Sequence, residues 1–429
     1  MAGRRHLAGA LGALIAITGA CTSSGTLAGP TVATTQAATP TSLERRSDGV
    51  LRIGVLLPTS GAAQSLGPPM ITAVNLAAVQ INSSAGGGVN GKPVVIVTAD
   101  ETDDPTSAAA AADKLINDNV DAIIGPASSR IALSILGKLT NADRVVCSPA
   151  NTAALLSDFP DKGYYFRTAP SDLVQATALA RAIETKGLRS TSILAPDDDY
   201  GKPMARALET ALAGRGIRVT TTVQYDPDSP DFVADARKAL ADGPDSVAVI
   251  ALPDPGAKLL SALKGTRAKI FATNGIRTPG LVDRLLDPSA LDGVTVTTLA
   301  VTPNESSEFY KAFVQQNGAE ASKAYAAYAY DCAMLIALSA TAAGTDDPSV
   351  FRRQMTTISG GGSSCIGFTD CKKRLIEERS TINYVGASGD FDLDQNGDPD
   401  GGYFDVFVYQ KDGTDKPAET PQVLAIPRR

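Results

Sequence analysis

Apolar residues along this chain fall into short runs closed by small or polar residues, with stretches of helical spacing between them. The clearest runs are 122–124 (AII) and 145–147 (VVC), each followed by Gly, Pro or small hydroxyl residues. Such runs predict strands buried on both faces of a parallel sheet. Upstream, residues 50–57 and 93–99 predict two more strands. Residues 70–81 predict a helix, with Met70, Val74, Ala77, Ala78 and Ile81 on one face. A second helix begins at Pro105 and carries Ala109, Leu115 and Ile116. The order β-α-β-α-β-α-β predicts a parallel sheet wrapped by helices.

A polar link at 166–172 ends with Ser171, placed to cap a helix over 173–185. A second alternation follows. Its strands are predicted at 192–195, 218–224, 246–251 and 270–272, and its helices at 202–214, 231–241, 256–264 and 280–286. A strand over 294–301 and two helices come next. Residues 325–340 are unusually apolar, but Asp331 interrupts them and the run is too short for a bilayer, so a buried core helix is expected. The last strands, 389–393 and 403–409, read as a hairpin turning at Asn396-Gly397. With 429 residues the chain exceeds one compact core, and the class is α/β with two sheet units.

Charge and composition narrow the function. A net charge of −7 with no basic stripe argues against nucleic acid. The only histidine is His6, which excludes Ser-His-Asp and Cys-His catalysis and histidine-ligated zinc in the rest of the chain. Carboxylate, Lys or Cys chemistry stays open in principle, through Asp197, Asp198 and Asp199 for example. No acid and base stand at a defined spacing, so no enzyme and no cofactor are expected. Residues 392–398 (DLDQNGD) match the start of a calcium loop, but the twelfth position is Tyr403 where a bidentate Glu is needed, so no metal is expected. Of five cysteines, Cys365 and Cys371 enclose a Gly-rich loop and are expected to pair; two free thiols are the alternative. Cys147 and Cys332 fall in predicted core elements and read as separate buried thiols.

Candidate binding residues lie where strands end. Ser128 and Ser129 follow the 122–124 strand and Thr152 follows the 145–147 strand. Ligands of open α/β sheets bind beyond the carboxyl ends of strands, where a helix N-terminus suits an anion. The same hydroxyls would serve equally as helix caps. Tyr200 and Asn274 stand at equivalent turns of the second series. Tyr200 would also suit a surface aromatic packed on its own helix.

The N-terminus combines Arg4 and Arg5, an apolar stretch over 7–17, and Thr18-Gly19-Ala20-Cys21. It resembles a bacterial lipoprotein signal, which implies cleavage after residue 20 and lipid on Cys21; a plain secretory signal is the alternative. Residues 21–49, rich in Thr, Ala, Ser, Gly and Pro, read as a disordered tether.

One ordered set of motifs is specific. LLPTSGAAQSLG, the 82–91 turn before a VVIV strand, DETDDP, Gly125-Pro126 before two serines, and Ser148-Pro149-Ala150 occur in the order found in the branched-chain amino-acid class of type I periplasmic binding proteins. The resemblance covers the chain from Val50 onward. It implies two doubly wound parallel-sheet lobes joined by a three-segment hinge, with crossings at 166–172, 294–301 and 383–386. The lobes would comprise 50–168 with 302–385, and 169–301 with 386–413, leaving 414–429 as a tail. It further implies a monomeric solute-binding lipoprotein, anchored to the membrane by Cys21, that closes over a small polar solute and delivers it to an ABC permease. A sensor of the same fold is the rival. The solute's carboxylate would meet Ser129, beside Ser128, and Thr152. The Ala150 carbonyl would accept from an amine, Tyr200 would cover the ligand, and Leu66 falls near the family's aromatic wall. Asn274 takes the place of the acid that holds an amino acid's ammonium. Together with Arg130 this favours a small acid or polar neutral solute over a branched-chain α-amino acid.

Overall fold

The computed structural model describes residues 47–425 apart from 62, 199, 279, 303–306 and 391. The signal peptide, Cys21 and most of the tether lie outside the described residues. Its last residues are tied down: Ser47 Oγ and the Gly49 N–H both donate to Asp346.

The first part of the chain gives β1 (Arg52–Leu57), α1 (Gly67–Asn82), β2 (Val95–Asp100), α2 (Pro105–Asn117), β3 (Ala122–Ile124), α3 (Ser129–Asn141), β4 (Val145–Ser148) and β5 (Tyr165–Arg167). These strands form one parallel sheet, ordered β2-β1-β3-β4-β5. Helix α2 starts as its sequence dictates: Pro105 fills the first turn, where no N–H bond is required, and Asp104 accepts from the Ser107 N–H. Strand β5 was expected only as a link; at three residues (YFR) it carries no periodicity to read.

The second series gives α4 (Asp172–Thr185), β6 (Ser190–Pro196), α5 (Gly201–Ala213), β7 (Arg218–Tyr225), α6 (Val233–Leu240), β8 (Ser246–Val249), α7 (Pro253–Leu263), β9 (Lys269–Ala272) and β10 (Thr295–Leu299). The 280–286 helix is not formed; a 3-10 turn at Val282–Arg284 stands there, and Asp287 caps the next turn through the Ser289 N–H. The chain then returns to the first core through α8 (Glu308–Asn317), α9 (Ala326–Ala343), α10 (Pro348–Phe351), α11 (Met355–Ser359), β11 (Ser363–Ile366), α12 (Gly367–Ile376) and β12 (Ile382–Val385). It ends with β13 (Gly402–Tyr409) and β14 (Asp415–Ala425) in a seven-stranded sheet ordered β14-β13-β10-β9-β8-β6-β7.

Two expectations change at this end. The described residues of the 389–393 stretch form no hairpin strand; β13 instead pairs antiparallel with β10 and with β14. Strand β14 lies in the stretch taken for a tail. Its prolines argue against a central strand, but β14 is the sheet edge, where a missing N–H is tolerated.

Helix α9 is the centre of the first lobe. All of it but the last two residues is buried. Its mean hydropathy of 1.3 would suit a membrane span by composition, yet 89% of it is covered by protein. Asp331, in its middle, accepts from the Tyr384 hydroxyl, the Ala387 and Ser388 N–H groups and the Ser388 hydroxyl. The acid that breaks the apolar run is the one that fastens the third crossing.

The cysteines also depart from expectation. The Cys147 and Cys332 sulfurs lie 2.01 Å apart, a disulfide between β4 and α9. Their 185-residue separation hides this in the sequence, since only the packing of α9 behind β4 brings the two together. Cys365 and Cys371 lie at a bonding distance of 2.09 Å.

Candidate functional site

The site is built from the loops that leave the carboxyl ends of β3 and β4. Gly125 has φ +112°, and a Cβ there would stand 1.9 Å from the Leu56 carbonyl, so only glycine lets the loop cross the sheet edge this closely. The Gly125–Pro126 peptide is cis. Ser128 caps α3, accepting from the Ile131 N–H. Ser129 does something else: its Oγ accepts from the Thr152 and Ala153 N–H groups, each at 3.3 Å, and joins the two loops. Thr152 caps no helix; only a 3-10 turn, Ala154–Leu156, follows it.

A buried acid fixes the loop that enters α3. Glu101, fully buried after β2, accepts from the Ala127 and Ser128 N–H groups at 2.7 Å each. Burial pushes its carboxyl up to about 7, against those two bonds. Two backbone donors just before α3 are thus held by the protein's own carboxylate, placed at the positive end of that helix.

The 148–153 loop is fixed by side chains that sequence reasoning did not single out. Ser148 Oγ donates to the Pro126 carbonyl and accepts from the Ala150 and Asn151 N–H groups. Asn151 Nδ2 donates to the Ala127 carbonyl, and the Tyr165 hydroxyl donates to Asn151 Oδ1. Arg167, with 0% exposure, donates to the Asn151 and Ala153 carbonyls and to Ser157, and forms a two-bond pair with Asp398. Asp398 belongs to the calcium-like 392–398 loop. There Asp394 accepts from the Asn396 and Asp398 N–H groups, and Gly397 packs against the Tyr165 carbonyl. The acidic loop serves as a latch between the third and first crossings.

Across the cleft, Tyr200 starts α5. Its hydroxyl is 3.4 Å from Thr273 Oγ1, and Asp198 Oδ1 accepts from the Tyr200 and Gly201 N–H groups. Gly275 is fixed as glycine, since a Cβ would stand 2.1 Å from the Ala251 carbonyl; this leaves Asn274 as the side chain at that strand end. Asn274 is half-buried and its amide bonds to no described residue.

Asp172, at the start of α4, joins the two sides. It is 7% exposed, its N–H donates to the Thr152 carbonyl at 2.8 Å, and its carboxyl lies beside the Thr152 side chain. Burial pushes that carboxyl up to about 6, while Thr152 and Arg167 pull it down. Its charge reaches both Tyr200 and Tyr325, whose hydroxyls are held above their usual range chiefly by burial and then by Asp172. Tyr325 enters α9 with φ +55°, a left-handed backbone that non-glycine residues rarely adopt. Ser129, Thr152 and Asp172 are therefore linked through the Thr152 backbone, with Tyr200 and Tyr325 within electrostatic reach of Asp172. Leu66 precedes α1 and packs on the first-lobe core, as Ala150 and Tyr325 do. Arg130, next to Ser129, is exposed and donates to the Asp103 carbonyl.

Comparison with known proteins decides the family. The periplasmic binding protein family model matches residues 50–374. The chain belongs to that family, in its type I, branched-chain amino-acid-binding class. This periplasmic binding protein is 27% identical to the chemotactic signal transduction system substrate-binding protein BasB of Halobacterium salinarum over 365 residues, 82% of this chain and 85% of that one. Leucine-binding protein LivK of Thermotoga maritima superimposes with a TM-score of 0.64 at 22% identity, covering 88% of this chain and 99% of LivK. A solute-binding protein from R. palustris, solved with benzoate, gives 0.59 at 18% identity, covering 88% and 97%. At these identities the two structures share the fold. The family is a binding-protein family and not an enzyme class, and its members lie outside the cytoplasm.

Proposed function

We propose that this periplasmic binding protein captures a small carboxylate-bearing solute between its lobes and hands it to an ABC importer. One observation carries the reading: Ser129 and Thr152 from the first lobe are linked to Asp172 at the hinge, and Tyr200 from the second lobe lies within electrostatic reach of Asp172. In this reading the Ser129 hydroxyl and the Thr152 and Ala153 N–H groups take the carboxylate, exchanging their mutual bonds for bonds to the solute. The Ala150 carbonyl accepts from any donor beside it, Tyr200 covers the solute, and Leu66 and Asn274 border the cleft. Lipid on Cys21 would hold the protein at the membrane surface. Native mass spectrometry of the purified protein should show a bound small molecule, and small-angle scattering should show a smaller particle when that molecule is added back to stripped protein. Scattering curves that coincide would remove lobe closure. Cys21→Ala should move the protein from the membrane fraction to the medium; retention at the membrane would remove the anchor.

A second reading has one support. The relative BasB bears a chemotaxis name, which favours a sensor of the same fold. Deleting the partner permease separates the two: uptake of the solute is lost only if the protein feeds an importer.

A further inference from the structure

The second crossing changes lobes within two residues. Strand β10 ends at Leu299, and the peptides of Ala300 and Val301 follow. Their N–H groups point to the second lobe. That of Ala300 donates to the Tyr403 carbonyl at 3.0 Å and that of Val301 to the Asp405 carboxylate at 3.1 Å, both on β13. Their carbonyls point to the first lobe. The Tyr328 hydroxyl on α9 donates to the Ala300 carbonyl at 3.1 Å, and the Tyr310 hydroxyl on α8 donates to the Val301 carbonyl at 2.8 Å. We propose that Tyr328 and Tyr310 are positioning residues for lobe closure, their hydroxyls forming the bearing on which the Ala300 and Val301 peptides turn. This rests on the lobe-closure reading above.

The two sides of these peptides are held differently. The N–H bonds continue from the ladder that joins β10 to β13, within a seven-stranded sheet. Each carbonyl is held by one side-chain hydroxyl. A hydroxyl hydrogen rotates to suit its partner, and a carbonyl oxygen accepts over a broad range of directions. Such a bond tolerates a swing of the carbonyl that a strand ladder does not. The second lobe therefore carries the two peptides with it, and the moving contact lies against the tyrosines. Both tyrosines are 2% exposed. Phenylalanine would fill the same space without a buried hydroxyl that has to find a partner.

Tyr328 also stands where the other crossings reach α9. Its backbone carbonyl accepts from the Thr168 hydroxyl at 2.8 Å, so the first crossing ends on the same residue. One turn further, Asp331 accepts from the Ala387 and Ser388 N–H groups of the third crossing. The neighbouring Cys332 is joined to Cys147, which ties this turn to the strand that leads into the 148–153 loop. All three crossings thus share one seat on the first lobe. Tyr330 shows the contrast: its hydroxyl donates to Gln80 of α1, inside the same lobe.

Tyr328→Phe and Tyr330→Phe each remove one buried hydroxyl from the same helix, and only the first hydroxyl touches a crossing. On a Cys21→Ala background, spin labels at Lys114→Cys on α2 and Lys238→Cys on α6, both exposed, report the distance between lobes by pulsed electron resonance. The distance distribution of the solute-free protein should broaden in Tyr328→Phe and keep its width in Tyr330→Phe. Amide exchange at Ala300 and Val301 should quicken by roughly two- to twelvefold in Tyr328→Phe, the range that one lost neutral bond spans. It should not change in Tyr330→Phe. If Tyr328→Phe fails to fold, Tyr310→Phe frees the neighbouring carbonyl and should give the same two changes. Unchanged width and exchange in the variant that folds, or equal changes in Tyr330→Phe, overturn the assignment. Solute capture then still stands, because neither readout needs a solute. A co-purified solute that leaves the distance distribution of the unaltered bearing where it was when added back removes lobe closure itself, and the bearing with it.

Discussion

The two faces of the cleft are built differently. On the first-lobe face nearly every polar group of the 148–153 loop is tied by a side chain: Ser148, Asn151, Arg167 and Ser129 hold it from below and from both ends. On the second-lobe face the ties are few. Tyr200 reaches Thr273 at 3.4 Å, Asp198 caps the start of α5, and Asn274 bonds to nothing described. A preformed face holds a solute at low entropic cost, whereas a sparsely tied face can adjust as it closes. The first lobe is the template in this arrangement and the second is the cover. Substitutions on the first face should therefore damage stability and binding together, and those on the second should damage binding with only a small loss of stability.

The largest effect should come from behind the template. The Cys147–Cys332 bond closes 185 residues and ties the strand that carries the site loop to α9. On chain-entropy grounds its loss costs about 5 kcal/mol, against about 2 kcal/mol for the short Cys365–Cys371 loop. Cys147→Ser with Cys332→Ser should lower the urea midpoint far more than Cys365→Ser with Cys371→Ser. Equal midpoints would show that β4 does not depend on that bond. Next comes Arg167→Ala, which leaves Asp398 buried without its partner and frees two loop carbonyls. Breaking a buried pair from one side costs about 3–5 kcal/mol. Asp198→Ala, the comparable deletion on the second face, removes a helix-start acceptor and should cost about 1 kcal/mol. If the two cost the same, the contrast between the faces is lost.

The template was only half legible in the sequence, and particular residues show why. Ser129 and Thr152 could be placed because each follows a run too apolar to be anything but a buried strand. Arg167 could not, because its partner Asp398 lies 231 residues away in a loop that looks like a damaged calcium site. Cys147 and Cys332 share that difficulty. Glu101 sits in an acidic cluster whose members are indistinguishable until the fold buries one of them. Asp172 was read as part of a polar crossing; its role depends on Thr152 arriving from the other side. Local pattern revealed what a strand end offers, while the groups that hold that end in shape come from distant segments.

A pH series probes the buried acids. Glu101, Asp331 and Asp172 are buried acids whose carboxyls are pushed up to about 7, about 6 and about 6, in each case mainly by burial. A raised carboxyl adds stability that is complete below its unfolded value near 4 and is lost as pH rises through the folded value. The solute-free protein should thus be more stable at about pH 5 than at about pH 8, by up to about 1.4 kcal/mol for each unit of raised pKa. Asp100, held near 2 by bonds from Ser60, Thr59 and Thr102 despite the opposing effect of burial, acts only below this window. Melting curves that showed no loss of stability between about pH 5 and about pH 8 would mean that these carboxyls are already ionised in the folded protein.

The smallest effect should come from the cover, through Tyr200→Phe. The ring stays, and it supplies the packing of Tyr200 on the second-lobe core. What is lost is one hydroxyl whose bond to Thr273 is long at 3.4 Å. A neutral bond of that kind contributes about 0.5 kcal/mol to stability at most. The urea midpoint of Tyr200→Phe should stay close to that of the unaltered protein. Binding should respond more, because the hydroxyl lies near Asp172 and would face the solute in the closed state. Loss of one bond to a solute corresponds to about 0.5–1.5 kcal/mol, or roughly a two- to twelvefold weakening, expressed mainly as faster release. Ser129→Ala is the control on the other face. It removes the acceptor for the Thr152 and Ala153 N–H groups as well as a donor to the solute, so it should lower both midpoint and affinity. A Tyr200→Phe protein as destabilised as Ser129→Ala would mean that the second face is built into the fold as firmly as the first, and that closure has no looser partner.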